Sequence, residues 1–261
     1  MQRLALGISY RGTAYHGWQS QMDGQTVQDA LQQALSKFAD QPVHTVCAGR
    51  TDSGVHALNQ VVHVNTDRQR DSSSWVRGTN RYLPSDVAVQ WCQVAAPHFH
   101  ARYSAQGRRY RLVVLESAVR PALEQGVCGW VFRPLDGDAM RQAAAQVIGT
   151  HDFTSFRAAD CQAANPVKTM RSISINKRGA YWCFDFDANA FLHHMVRNVV
   201  GCLVTIGAGR QVSAWMGEVL AARSRDMAAP TFPPDGLYFL GPYYDAEHNI
   251  PAQVSAIDWL P

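Results

Sequence analysis

Cys47-Ala48-Gly49-Arg50-Thr51-Asp52-Ser53-Gly54-Val55-His56-Ala57-Leu58-Asn59-Gln60-Val61-Val62-His63-Val64 is the stretch from which the rest of the chain is read. Two apolar, β-prone runs, Val43–Ala48 and Val61–Val64, flank a compact polar segment with a glycine at each shoulder. Such runs read as strands, and Gly, Asp and Ser between them read as a sharp turn. Arg50, Thr51, Asp52 and Ser53 are therefore expected at a sheet end, on a loop. A carboxylate sits there with an arginine two residues before it and hydroxyls on both sides. Locally this fits an Asx-turn, in which Asp52 caps its own backbone and Arg50 faces water. The choice between that turn and a functional carboxylate rests on residues further along.

Working outward, Leu4, Leu6, Ile8 and Tyr10 alternate, which predicts a first strand with one apolar face. The loop 11–25 carries Gly12, Gly17 and Gly24 around Tyr15, His16 and Trp18. Val27, Ala30, Leu31, Ala34, Leu35 and Phe38 then recur at helical spacing, with Thr26 as N-cap. After the Asp52 loop and a strand over 57–64 come a helix over 74–82 and a strand over 87–94. The order β-α-β-β-α-β is that of a ferredoxin-like unit. The second half repeats it: a strand at 109–115, an alanine-rich helix at 136–148, and a hairpin of 170–176 with 181–187. A long helix at 191–206, a shorter one at 213–222 and a closing strand at 236–244 follow. The fold class expected is α+β, two ferredoxin-like units with antiparallel sheets side by side and a groove between them. The boundary falls near Ser104-Ala105-Gln106-Gly107, giving units 1–104 and 105–247 and a tail at 248–261.

The 261 residues suffice for one large or two ordinary domains, and 46% hydrophobic with 17% charged residues reads as globular. The formal charge of +3 does not argue for nucleic acid by itself. Lysine occurs only at 37, 168 and 177, so arginine, which forks onto phosphate and stacks on bases, supplies nearly all the positive charge. Six scattered cysteines without a C-x-x-C pair argue against a zinc site or disulfide framework and for a reducing compartment. Met1-Gln2-Arg3-Leu4 runs directly into strand pattern, and the apolar stretch 191–208 is broken by His193, His194 and Arg197. That composition excludes an ordinary membrane span and reads as cytoplasmic.

Arg102, Arg108, Arg109 and Arg111 surround Tyr103 and Tyr110. Strand alternation puts Arg109 and Arg111 on one face and Tyr110 with Leu112 on the other. Basic residues interleaved with aromatics grip single-stranded RNA through phosphate contact and stacking, and they equally fit a core tyrosine beside a basic edge. Phe191, His194, Arg197 and Asn198 fall on one side of the long helix. An arginine amid Met195, Val196, Val199 and Val200 calls for an anion, structural or functional. No metal is expected: adjacent His193 and His194 on a helix point about 100° apart, and His56 and His63 have no partner at ligand spacing. The nucleotide fingerprints and the G-x-S-x-G elbow are absent too, so no cofactor is expected. The loop 153–168 is small and polar, suited to a mobile RNA contact or to plain surface connection.

Gly-Arg-Thr-Asp-Ser-Gly-Val-His (49–56) resembles the nucleophile loop of the TruA family of tRNA pseudouridine synthases. Phe99–Tyr103 with Arg108–Arg111 resembles the family's second region, and Phe191–Asn198 its third; the likeness runs from the first strand to Tyr244. It implies an isomerase that converts uridine to pseudouridine at positions 38, 39 and 40 of the tRNA anticodon stem-loop, without a cofactor and as a homodimer. It further implies Asp52 as nucleophile, Arg197 as the cation that holds it charged, and Tyr110 against the target uracil. Substrate contacts carried over with it are Arg50, Phe99, Arg102, Arg109 and Leu237. Attack at ribose C1′, attack at uracil C6 and elimination to a glycal all remain compatible with these residues. Two other classes are weighed. A non-catalytic RNA-binding protein of RRM-like fold would carry RNP aromatics on its first strand, which lacks them. A nucleoside hydrolase or glycosidase usually recruits two carboxylates or a metal.

Overall fold

The computed structural model describes residues 1–251. In chain order it contains β1 (Gln2–Tyr10), α1 (Val27–Ala39), β2 (Val46–Cys47), β3 (His56–Thr66), α2 (Ser72–Asn80) and β4 (Val87–Ala95). Then come β5 (Ala105–Glu116), β6 (Gly129–Val131), α3 (Gly137–Ala145), β7 (Gly149–Asp152), β8 (Val167–Arg178), β9 (Tyr181–Ala188), α4 (Met195–Gly207), α5 (Trp215–Ala222) and β10 (Leu237–Tyr244). The chain is thus mixed α+β with mostly antiparallel strand pairing. It divides into two compact units, Met1–Arg108 with the segment from Tyr238, and Arg109–Leu237. The division lies within β5, and the segment from Tyr238, expected with the second half, groups with the first. Of the expected tail, residues 252–261 lie outside the described residues. No helix among the described residues is long and apolar enough to cross a membrane.

In the first unit the strands run β4-β1-β3-β2, all neighbours antiparallel, and β10 adds parallel to the start of β3. Leu4, Leu6 and Ile8 are buried as their alternation predicts, and Ala5 is buried on the opposite face with Ala48, Val61, Ala95, Phe99 and Ala101. Both faces of β1 are therefore covered. Thr26 caps α1 as expected, accepting from the Asp29 amide at 3.3 Å. Strand β2 is shorter than the run 43–48. The amides of Val43 and Thr45 are taken by side chains of α1, Ser36 Oγ at 2.9 Å and Gln32 Oε1 at 2.9 Å, and so never enter the ladder.

In the second unit the order is β5-β9-β8-β7, with β6 parallel to β5. The short strands β6 and β7 carry too few residues for alternation to betray them. Helix α4 begins at Met195, four residues later than the periodicity suggests (195 − 191). Its N-cap, His194, is left-handed at φ 60°, which breaks the helical run. Phe191 and His194 therefore do not share a helical face with Arg197 and Asn198. The start of the loop 153–168 is core, not a mobile contact. Phe153, Ser155 and Phe156 are buried, and the Asn198 side-chain Nδ2 donates to the Phe156 carbonyl at 2.9 Å.

His63, on β3, accepts the Ala101 amide on Nδ1 at 3.1 Å, which requires that nitrogen to be unprotonated. Burial, with Arg3 and His100 nearby, lowers its pKa from 6.5 to about 4. The unfolded chain takes up this proton near pH 6.5 and the folded chain only near pH 4, so acid favours unfolding across that interval. Stability should be full above pH 6.5 and fall toward pH 4. His63→Asn keeps an acceptor in place without a titrating ring. Thermal melts between pH 7 and pH 4.5 should show a shallower decline for this variant than for the wild type, and parallel declines would refute the assignment.

Candidate active site

The Asp52 loop sits where β2 gives way to β3, and its conformation is set by a second loop beneath it. That second loop contains the 3-10 turn Gly12–Ala14 and leads into α1. Trp18 donates its amide to the Thr51 carbonyl at 3.0 Å, while Gly54 N and Ser53 Oγ donate to the Tyr15 carbonyl at 3.4 and 3.1 Å. Gly12 donates its amide to His56 Nδ1 at 3.0 Å. The two backbones approach so closely that only glycine fits at two points. A Cβ on Gly12 would overlap the Val55 carbonyl, and one on Gly17 would lie 2.6 Å from the Thr51 carbonyl oxygen. Gly17 also has φ +86°, a conformation that costs other residues energy.

From the other side the loop is gripped at both shoulders of Arg50. The Gln60 side-chain amide clamps Gly49, donating to its carbonyl at 2.5 Å and accepting its amide at 3.4 Å. The Tyr10 hydroxyl lies 2.8 Å from Thr51 Oγ1. Within the loop, the Val55 amide closes a turn onto the Asp52 carbonyl at 3.2 Å. Thr51 is buried, Asp52 is half-buried and Arg50 is exposed. A held backbone thus presents a carboxylate and, two residues before it, a guanidinium.

Arginines gather at this end of the first unit. The Cys47 thiol is pushed up to about 11 by burial, while the positive charges of Arg50 and Arg102 pull it the other way. Arg108 donates to the Ala48 carbonyl at 3.1 Å and to the Arg102 carbonyl at 2.6 Å. His100 Nδ1 accepts the amides of Arg102 and Tyr103 at 3.2 Å each, folding this segment so that Arg102 and Tyr103 are exposed. Tyr103, which sequence reading treated only as a companion of the arginines, is 76% exposed and offers a stacking surface. Phe99, expected at the substrate, is wholly buried in the core, edge-on to Tyr244.

In the second unit Tyr110 is half-buried, with its ring edge-on to Phe191 at 5.0 Å. Arg197 Nε donates to the Phe232 carbonyl at 2.8 Å, and Phe232 N donates back to the Arg197 carbonyl at 3.2 Å. The carbonyl partner from a distant loop has no sequence signal. Arg111 makes a two-pronged pair with Asp185 at 2.6 and 3.1 Å, which gives it a structural role beside half-buried Arg109. Leu237 is buried at the start of β10. His193 and His194 are not helical, and their ring centres lie 4.0 Å apart, so the argument that a helix separates them does not hold. In the first unit His98, Glu247 and His248 bring possible ligand atoms within 4.8 Å of one another, on a surface formed after β4 and β10.

A sequence model of the tRNA pseudouridine synthase family matches residues 7–104 and 143–245. The chain belongs to that family, whose members are isomerases. It is similar over its whole length to proteins named tRNA pseudouridine synthase A. One, from Methylibium petroleiphilum, is 64% identical over 259 residues, covering 99% of this chain and all of the relative. Another, from Polaromonas naphthalenivorans, is 63% identical over 263 residues with the same coverage. Asp52, Arg50, Phe99 and Arg102 fall in the first matched stretch and Arg197 and Leu237 in the second. Tyr110 and Arg109 lie between the two.

The brace beneath Asp52 can be tested with two glycines of like conformation. Gly24 also has positive φ, +66°, but nothing lies within 4 Å of its added Cβ. Gly24→Ala should cost about 1 kcal/mol and Gly17→Ala about 3 kcal/mol, the difference being the displaced Thr51 carbonyl. Urea unfolding at unchanged m-value measures both, and equal losses would mean that the second loop does not bear on the first.

Proposed function

We propose that this chain isomerises uridine to pseudouridine in the anticodon stem-loop of tRNA, at positions 38, 39 and 40, with Asp52 as nucleophile. Family membership supports the reaction, and the braced half-buried Asp52 beside exposed Arg50 is the observation that carries the assignment of the nucleophile. In the reaction the bond from uracil N1 to ribose C1′ breaks, the base turns, and C5 bonds to C1′. C5 loses its proton and N1 ends protonated, so substrate and product have the same atoms and no oxidant or energy source is consumed.

The target nucleotide must leave the helical stack to meet a carboxylate, which costs a few kcal/mol of stacking and pairing. Arg50, Arg102 and Arg109 act on the RNA backbone in this reading, and guanidinium groups suit phosphate oxygens through their fork. Tyr110 packs on the uracil, and Leu237 contributes apolar contact. Phe99, being core, serves by supporting the segment that carries Arg102. Asp52 must be ionised to act, and Arg197 is assigned as its cation on the family resemblance. The strand order β4-β1-β3-β2 supports a ferredoxin-like first unit, and the reading takes the second unit as its counterpart. A homodimer acting in the cytoplasm completes the proposal.

Incubation of purified protein with unmodified tRNA transcripts, followed by mass-spectrometric mapping of pseudouridine, tests it. Pseudouridine should form at positions 38 to 40 without added cofactor. Uridine left unchanged there, or conversion confined to another arm of the tRNA, would contradict the proposal.

A further inference from the structure

The strand β1 ends in a side chain that the reaction scheme above does not use. Between the pairs Ile8–Gln60 and Tyr10–Ala57, β1 advances two residues and β3 three, so β3 carries a bulge there. Bulges re-aim side chains, often beside active sites. Tyr10, 5% exposed, consequently places its hydroxyl 2.8 Å from Oγ1 of Thr51, itself 6% exposed. Thr51 immediately precedes Asp52, and its carbonyl is already fixed by the Trp18 amide at 3.0 Å. Burial raises the Tyr10 phenol far above its ordinary range, so it stays protonated and keeps a hydrogen to donate. Gln60, itself wholly buried, clamps Gly49 on the same loop, so buried side chains hold residues 49 and 51 on either side of Arg50.

We infer that Tyr10 is a positioning residue for the isomerisation, acting through the Thr51 hydroxyl to fix the backbone from which the Asp52 carboxylate projects. The inference rests on the functional reading above. A buried hydroxyl pair is a strict positional device, because either oxygen left alone is a desolvated polar group and the backbone shifts to relieve it. A displacement of an ångström or less at a reacting carboxylate is enough to cost rate without costing substrate affinity.

The test is a double-mutant cycle of Tyr10→Phe and Thr51→Val, with Ile8→Val as control for stability. Ile8 is wholly buried two residues earlier on the same strand, and its truncation costs about 0.5–1.5 kcal/mol without touching the hydroxyl pair. Tyr10→Phe and Thr51→Val should each slow single-turnover pseudouridine formation about tenfold with tRNA affinity unchanged. The double variant should be no slower than either single, because the two hydroxyls act as one unit. Ile8→Val should keep the wild-type rate. Amide exchange of residues 51–55 should quicken in Tyr10→Phe and not in Ile8→Val, a readout that needs no turnover. A wild type that makes no pseudouridine would refute the functional reading. Unchanged exchange in Tyr10→Phe would refute the positioning role whether or not the wild type turns over. In an active enzyme, a wild-type rate for Tyr10→Phe or multiplicative losses in the double variant would refute it as well.

Discussion

Two backbones in contact, with no side chain between them, are the constraint on which the site depends. The loop after β1 lies against the loop after β2 so closely that a methyl group at Gly12 or Gly17 would strike a carbonyl of Val55 or Thr51. Hydrogen bonds then lock what the close approach allows, from Trp18 to Thr51, from Gly54 to Tyr15 and from Gly12 to His56. Ordering the loop 48–55 between β2 and β3 costs backbone entropy, of the order of 1 kcal/mol or more per residue. Here that cost is met by folding and is already spent when substrate arrives. The same second loop feeds α1, whose first amides bond to Gly17 and Trp18 carbonyls, so the brace is continuous with the core.

Much of this was legible in the sequence. The strand-loop-strand around Asp52, the Thr26 cap and the order of elements in the first unit follow from alternation, helical spacing and turn residues. What escaped had physical causes. The strand over 43–48 shrank because Ser36 and Gln32 took its amides, a competition that no periodicity records. The long helix lost its first turn because His194 adopts a left-handed conformation that residue type does not announce. Phe99, expected at the substrate only through the family resemblance, lies in the core, because a motif match says nothing about where an aromatic ring points. The glycines at 12 and 17 were visible, and their meaning was not, since close approach is a property of two segments at once.

The electrostatics of the first unit follow from the same frame. The positive charges of Arg50 and Arg102 act on the Cys47 thiol, and Arg108 ties the Ala48 carbonyl to that of Arg102. A cluster of like charges is costly unless solvent or an anion answers it, and a polyanion such as RNA does so along its backbone. Basic side chains that sit on a held loop lose less freedom on binding than those on a mobile one.

The central claim is that the Asp52 carboxylate makes the bond on which the isomerisation turns. Its most direct test is single-turnover conversion of a tRNA transcript by Asp52→Asn and Asp52→Ala, with tRNA affinity measured on the same preparations. The account predicts that both variants bind tRNA about as tightly as the wild type and form no detectable pseudouridine. Retention of more than a few per cent of the wild-type rate by a well-folded Asp52→Ala variant would contradict it.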